Sequence, residues 1–108
     1  MDFSLVNTPA LLSANKSEEY QQQILTRQSA IVHFLVDNNL LVNIPEPFDE
    51  RGIIKKDLII RMSNVKNEGI ELFKKAIPSW LRNLDKGGDI ANTKKLSQEL
   101  EKIRSKTP

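Results

Sequence analysis

The chain has 108 residues, with sixteen basic against fourteen acidic side chains and a formal net charge of +2. That length supports one domain around one core. A content of 39% hydrophobic and 28% charged residues argues against disorder throughout. Cysteine is absent, which excludes disulfide staples, thiolate catalysis and zinc sites built on sulfur, and suits a reducing cytoplasm.

The expectation is a mainly α fold, a small helical bundle of about four helices over residues 1–108. The N-terminus has an acidic second residue and no basic n-region, so it does not read as a signal peptide. No apolar run approaches the ~20 residues that span a bilayer. Residues 1–16 admit two readings. Pro9 could open a short helix capped by Thr8. Otherwise the segment is an extended arm laid on the core through Phe3, Leu5 and Val6.

Ser17 reads as an N-cap, with Glu18 and Glu19 well placed in the first turn. Tyr20, Ile24, Ile31, Phe34 and Leu35 fall on one face, interrupted by Arg27 and Gln28. Gln22, Ser29 and Asp37 fall on the opposite face. The spacing predicts a helix over 18–38, ended at Asn38-Asn39. An extended LLVNI then leads to Pro45-Glu46-Pro47, which cannot continue a helix. Between Phe48 and Met62, two aliphatic patches flank Lys55-Lys56-Asp57. They fit a small β-hairpin over 53–62 or a single helix after Asp49. Gly52 tips the balance towards strand-like or irregular structure.

Asn64 reads as the next N-cap. Val65, Gly69, Leu72, Phe73, Ala76, Ile77, Trp80, Leu81 and Leu84 follow at spacings of three and four. Trp80, the sole tryptophan, sits on that stripe and is expected in the core. Pro78 should bend or split this helix, and Gly87-Gly88 should stop it. Asp89 or Asn92 then caps a last helix with a narrow stripe of Leu96, Leu100 and Ile103. Lys95 and Glu99 are spaced to pair on its outside, and Ser105 to Pro108 should fray.

The chemistry-bearing residues do not assemble into a catalytic set, so binding is expected rather than catalysis, with no cofactor, metal or small-molecule ligand. His33 is the only histidine, and Asp37 one turn away could hold one of its nitrogens. Two such groups fall short of the three or four that a metal needs. Asp49 and Glu50 are adjacent carboxylates followed directly by Arg51, which favours a structural or contact role over acid–base work. Gly87-Gly88-Asp89 matches no phosphate-binding loop. Lysines are dispersed as 55–56, 74–75 and 94–95, each near acidic residues. Nucleic-acid domains usually gather positive charge on one face, so nucleic-acid binding is disfavoured here, and a small nucleic-acid-associated regulator acting through these lysines stands as the second reading.

The string GIELFKKAIPSWLRNLDKGGDIANTKKLSQELEKI, Gly69–Ile103, resembles the C-terminal part of small helical bacterial immunity proteins. These are the partners of contact-dependent inhibition and related polymorphic toxins. The similar elements are the Gly69–Leu72–Phe73 helix start, Trp80-Leu81 ahead of Asp85-Lys86-Gly87-Gly88, and the Leu96–Leu100–Ile103 helix. Residues 1–60 lie outside the resemblance. It implies a cytoplasmic protein that binds a toxin domain, often a nuclease, blocks its active site and does no chemistry. Inhibitors of basic nucleases are usually acidic, because opposite potentials speed association, whereas this chain is slightly basic. Asp37, Glu46, Asp49, Glu50 and Asp57 nevertheless cluster along the sequence around the central loop and are the expected contact residues.

Overall fold

A computed structural model describes residues 2–106. In chain order the elements are β1 (Ser4–Asn7), α1 (Thr8–Ser13), α2 (Glu18–Asp37), β2 (Ile59–Arg61), a 3-10 turn (Met62–Asn64), α3 (Asn67–Lys75), α4 (Ile77–Asp85) and α5 (Lys94–Ser105). The fold is mainly α, with five helices and one small sheet among the described residues.

Both readings of the N-terminus hold in part, one after the other, although only Val6 of the arm is buried, Leu5 is half-buried and Phe3 is exposed. An extended arm comes first, then a short helix. The cap is Asn7 rather than Thr8, and its side chain accepts a hydrogen bond from the Ala10 amide at 3.1 Å. The arm is held at its start by Asp2, whose carboxylate accepts from the Ser63 amide (3.0 Å) and hydroxyl (2.7 Å). Those bonds, the hydroxyl first, hold the Asp2 carboxyl below the ordinary aspartate value.

The Ile53–Met62 hairpin does not form, although part of that span is a strand. β2 pairs antiparallel with β1, matching Val6 to Ile60 and Asn7 to Ile59, with an irregularity between Ser4 and Val6. Ile53-Ile54 turn the other way, and Ile54 bridges to Phe48. Pairing across more than fifty residues buries Val6 and Ile60 together, which a local hairpin would not do.

Ser17 caps α2 as its sequence implies, accepting from the Tyr20 amide. At the other end Asn39 is left-handed (φ 58°). The Leu40 amide donates to the Leu35 carbonyl and the Asn39 amide to the Val36 carbonyl, a Schellman ending built on asparagine. The two-faced reading of α2 needs correction. Leu25, Ser29 and Val32 are buried on one side, while Ile31, Phe34 and Leu35 are buried on the other. The helix runs between two apolar clusters. One joins Ile31, Phe34 and Leu35 to Leu72, Ile77, Trp80, Leu96 and Leu100. The other joins Leu25 and Val32 to Val6, Ile54, Leu58, Ile60 and Val65. Ser29 is inside because its hydroxyl accepts from the buried Ile54 amide at 3.0 Å.

Asn64 does not open α3. The Val42 amide donates to the Asn64 carbonyl and the Lys66 amide to the Leu40 carbonyl, which holds Val65 and Lys66 extended beside 40–42, after the 3-10 turn that ends at Asn64. The helix therefore starts at Asn67. Gly69 lets it lie close to Leu40: a Cβ there would fall 2.5 Å from Val65 Cγ1 and 3.4 Å from Leu40 Cβ. Pro78 splits the long stripe, with Ala76 as the joint between α3 and α4. Gly87 (φ 96°) terminates α4. Its amide donates to Leu84, and the Gly88 amide donates to Asn83. A Cβ on Gly88 would meet the Asn83 carbonyl oxygen at 2.9 Å, so both glycines are required.

In α5, Leu96 and Leu100 are buried and Ile103 partly so. Glu99 pairs with Lys102 rather than Lys95, because Lys95 lines the gap towards α4. Arg104 ties this helix to the rest, donating to Glu68 on α3 and to the Asn38 carbonyl at the end of α2. The helix continues through Ser105; Thr107 and Pro108, which belong to the segment expected to fray, lie outside the described residues. No described helix is long and apolar enough to cross a membrane.

Candidate protein-binding surface

The central loop is wired by its own backbone and by one carboxylate. The Gly52 amide donates to the Asp49 carbonyl and the Asp49 amide to the Ile53 carbonyl, with Gly52 left-handed at φ 78°. This is a tight turn closed by glycine, flanked by the Phe48–Ile54 bridge. Asp49 Oδ1 accepts from the Arg51 amide at 2.8 Å and the Ile53 amide at 3.1 Å, and Oδ2 meets the Arg51 guanidinium at 3.3 Å. These bonds, led by that from Ile53, hold the Asp49 carboxyl below its ordinary value.

The loop is docked on α2 through His33. The imidazole stacks on Phe48 with centroids 3.8 Å apart and planes at 9°. Nε2 lies 2.8 Å from the Gly52 carbonyl oxygen. A carbonyl can only accept, so this contact places the proton on Nε2. The partner foreseen for His33 was Asp37; the structure gives it Gly52 and Phe48 instead. The two residues do share a shallow groove between α2 and the 90–97 segment. Among the described residues no group of three or more His, Asp or Glu side chains is placed to hold a metal ion.

The five expected contact residues therefore separate into different roles. Asp49 is half-buried, and its carboxylate shapes the turn. Glu50 is exposed at the turn's tip. Glu46 is also exposed, and its Oε1 accepts from the Phe48 amide at 3.3 Å. Asp37 is exposed one helical turn beyond His33. Asp57 is exposed too, in a turn tied to the loop by the Lys55 amide on the Pro47 carbonyl and to α1 by the Thr8 amide on the Leu58 carbonyl. Glu46 and Glu50 lie on the loop that carries Phe48, Asp37 follows His33 by one turn of α2, and Asp57 lies in the next turn along the chain.

Two contributors were not foreseen. Phe48 serves as the stacking partner of His33, and Ser29 fixes the loop's return strand from beneath. The sequence signal for Ser29 was its place between Leu25 and Val32, at spacings of four and three on a second apolar line. Comparisons of this chain with protein-family models, with curated proteins and with solved structures found no match.

Proposed function

We propose that this chain is a non-catalytic binding protein that neutralises a bacterial toxin domain, meeting it in the cytoplasm of the producing cell and blocking its active site. The observation that carries the reading is the central loop: it exposes the Glu46 and Glu50 carboxylates beside Arg51, with Asp37 exposed on the neighbouring α2, and its shape is fixed before binding by the Asp49 turn and the His33–Phe48 stack. A surface already ordered loses little entropy on association. A nuclease domain suits it, because a cleft that holds nucleic acid is positively charged, and complementary potentials speed encounter.

The resemblance of Gly69–Ile103 to immunity proteins supports the same reading. In this account the C-terminal helices are the scaffold and the central loop is the variable contact. The test is co-expression with the product of the neighbouring upstream gene. The expected result is growth arrest by that product alone, rescue by this chain, and a complex that survives moderate salt. Absence of both toxicity and complex would remove the reading.

A further inference from the structure

Lysines that are dispersed along the sequence meet at one place in the fold. A cleft of about 280 Å³ between α4 and the start of α5 is lined by Trp80, Asn83, Asp89, Lys94, Lys95 and Gln98, among others. A second cavity of about 310 Å³ shares Trp80 and Lys95 and brings in Lys75 and Lys102. The two are adjacent and share Trp80, Lys95 and Gln98, with Trp80 buried beneath them. Trp80 is 4% exposed, and its indole N–H donates to the Asn92 carbonyl at 3.1 Å. Lys75 pairs with Glu71 and Lys102 with Glu99. Neither Lys94 nor Lys95 has an ion-pair partner among the described residues.

The placement of this unpaired pair is locally unfavourable. Lys94 and Lys95 occupy the first turn of α5, where the helix dipole disfavours cations and no acidic residue offsets them, although the Asn92 side chain accepts from the Lys94 amide at 3.2 Å. α2 begins with a capping serine and two glutamates. A local rule broken at an exposed groove is a signal of recognition rather than of folding.

We propose that the α4–α5 groove docks an acidic polypeptide segment, with Lys94 and Lys95 supplying the charge and Asn83 and Gln98 supplying amide hydrogen bonds to its backbone. The charge of the groove selects an anionic occupant, and its details select polypeptide over nucleic acid. Asp89 and Glu99 interrupt the lysines, which a continuous phosphate backbone would meet as repulsion. The one aromatic ring is sunk in the floor rather than offered as a platform on which bases stack. This surface is independent of the central loop and of the toxin reading.

Trp80, the only tryptophan, makes the groove its own reporter. The full chain is titrated with a labelled peptide of glutamate and glycine, with its glutamine counterpart, and with an oligothymidylate of equal length, at ~0.15 M salt. Binding of the glutamate peptide alone, with a change in Trp80 emission, is expected. Lys94→Glu/Lys95→Glu should weaken it about tenfold or more, while the equal charge change Lys55→Glu/Lys56→Glu leaves it in place. Glutamates suit the first turn of a helix, so the former variant should fold; Lys95→Gln supplies a milder version with the same expected direction. Preference for the oligothymidylate, equal weakening by both double variants, an unchanged Trp80 signal, or no binding of the glutamate peptide would each overturn the proposal.

Discussion

The central loop and the α4–α5 groove are built on opposite plans. In the loop the polar groups that set its shape are used internally: Asp49 holds two amides and a guanidinium, His33 meets a carbonyl, and Ser29 meets the returning strand. In the groove an apolar floor is well buried, but Lys94 and Lys95 above it have no ion-pair partner among the described residues. The loop's shape is thus set before any partner arrives, whereas the groove's charge is uncompensated until one does. The first arrangement favours a specific fit by preorganisation. The second favours attraction of a charged segment and will be sensitive to salt.

Substitutions that separate the two regions should differ most in stability. Trp80→Ala removes a buried indole shared by the groove and the main cluster and should cost about 3–5 kcal/mol. Phe48→Ala removes a half-buried ring and its stack on His33 and should cost about 1–2 kcal/mol. Urea unfolding of both variants would measure the difference, and equal costs would contradict the contrast between deep floor and surface clasp.

Ser29→Ala lies between these extremes. It leaves the buried Ile54 amide without its acceptor and should cost about 1–3 kcal/mol, with faster amide exchange at Ile54. Thr8→Val should act in the opposite direction. The Thr8 hydroxyl is buried with no hydrogen-bond partner among the described residues, so its removal should raise stability by about 1 kcal/mol.

The smallest effect concerns acid. The folded-state pKa of Asp49 is depressed, so its stabilising bonds are fully present above the unfolded aspartate value of about 3.9 and are lost as pH falls through the depressed folded value. Asp2 behaves in the same sense at the N-terminal arm. The Arg51, Ile53 and Ser63 amide resonances should therefore hold steady down to about pH 4 and move together below it. Earlier movement would show that the carboxylates do not hold these segments.

Features encoded over a few residues were legible in the sequence. Ser17 with Glu18-Glu19 starts α2, Pro78 splits the long stripe, Gly87-Gly88 stops it, and Trp80 is core. What was not legible depends on distant partners. Nothing near Ile59 says that its strand mate is Asn7, and nothing near Asn64 says that its carbonyl is taken by Val42. Ser29 looked like a solvent-facing residue because a single-stripe reading cannot see a helix buried on two sides. The acidic residues were correctly found as a sequence cluster, but only the fold shows that Asp49 serves the turn while Glu46 and Glu50 remain exposed. The lysine pairs looked scattered because the groove that unites Lys75 with Lys94 and Lys95 exists only once α3, α4 and α5 have folded together.

The most direct test of the toxin-neutralising account is growth rescue by the central-loop variant. Cells making the neighbouring gene product would be given either the parent chain or Glu46→Lys/Glu50→Lys, a change at two exposed carboxylates outside both apolar clusters. The account predicts rescue by the parent chain and loss of rescue by the variant, with both proteins folded and equally abundant. Full rescue by the variant would contradict it and remove the central loop as the contact surface.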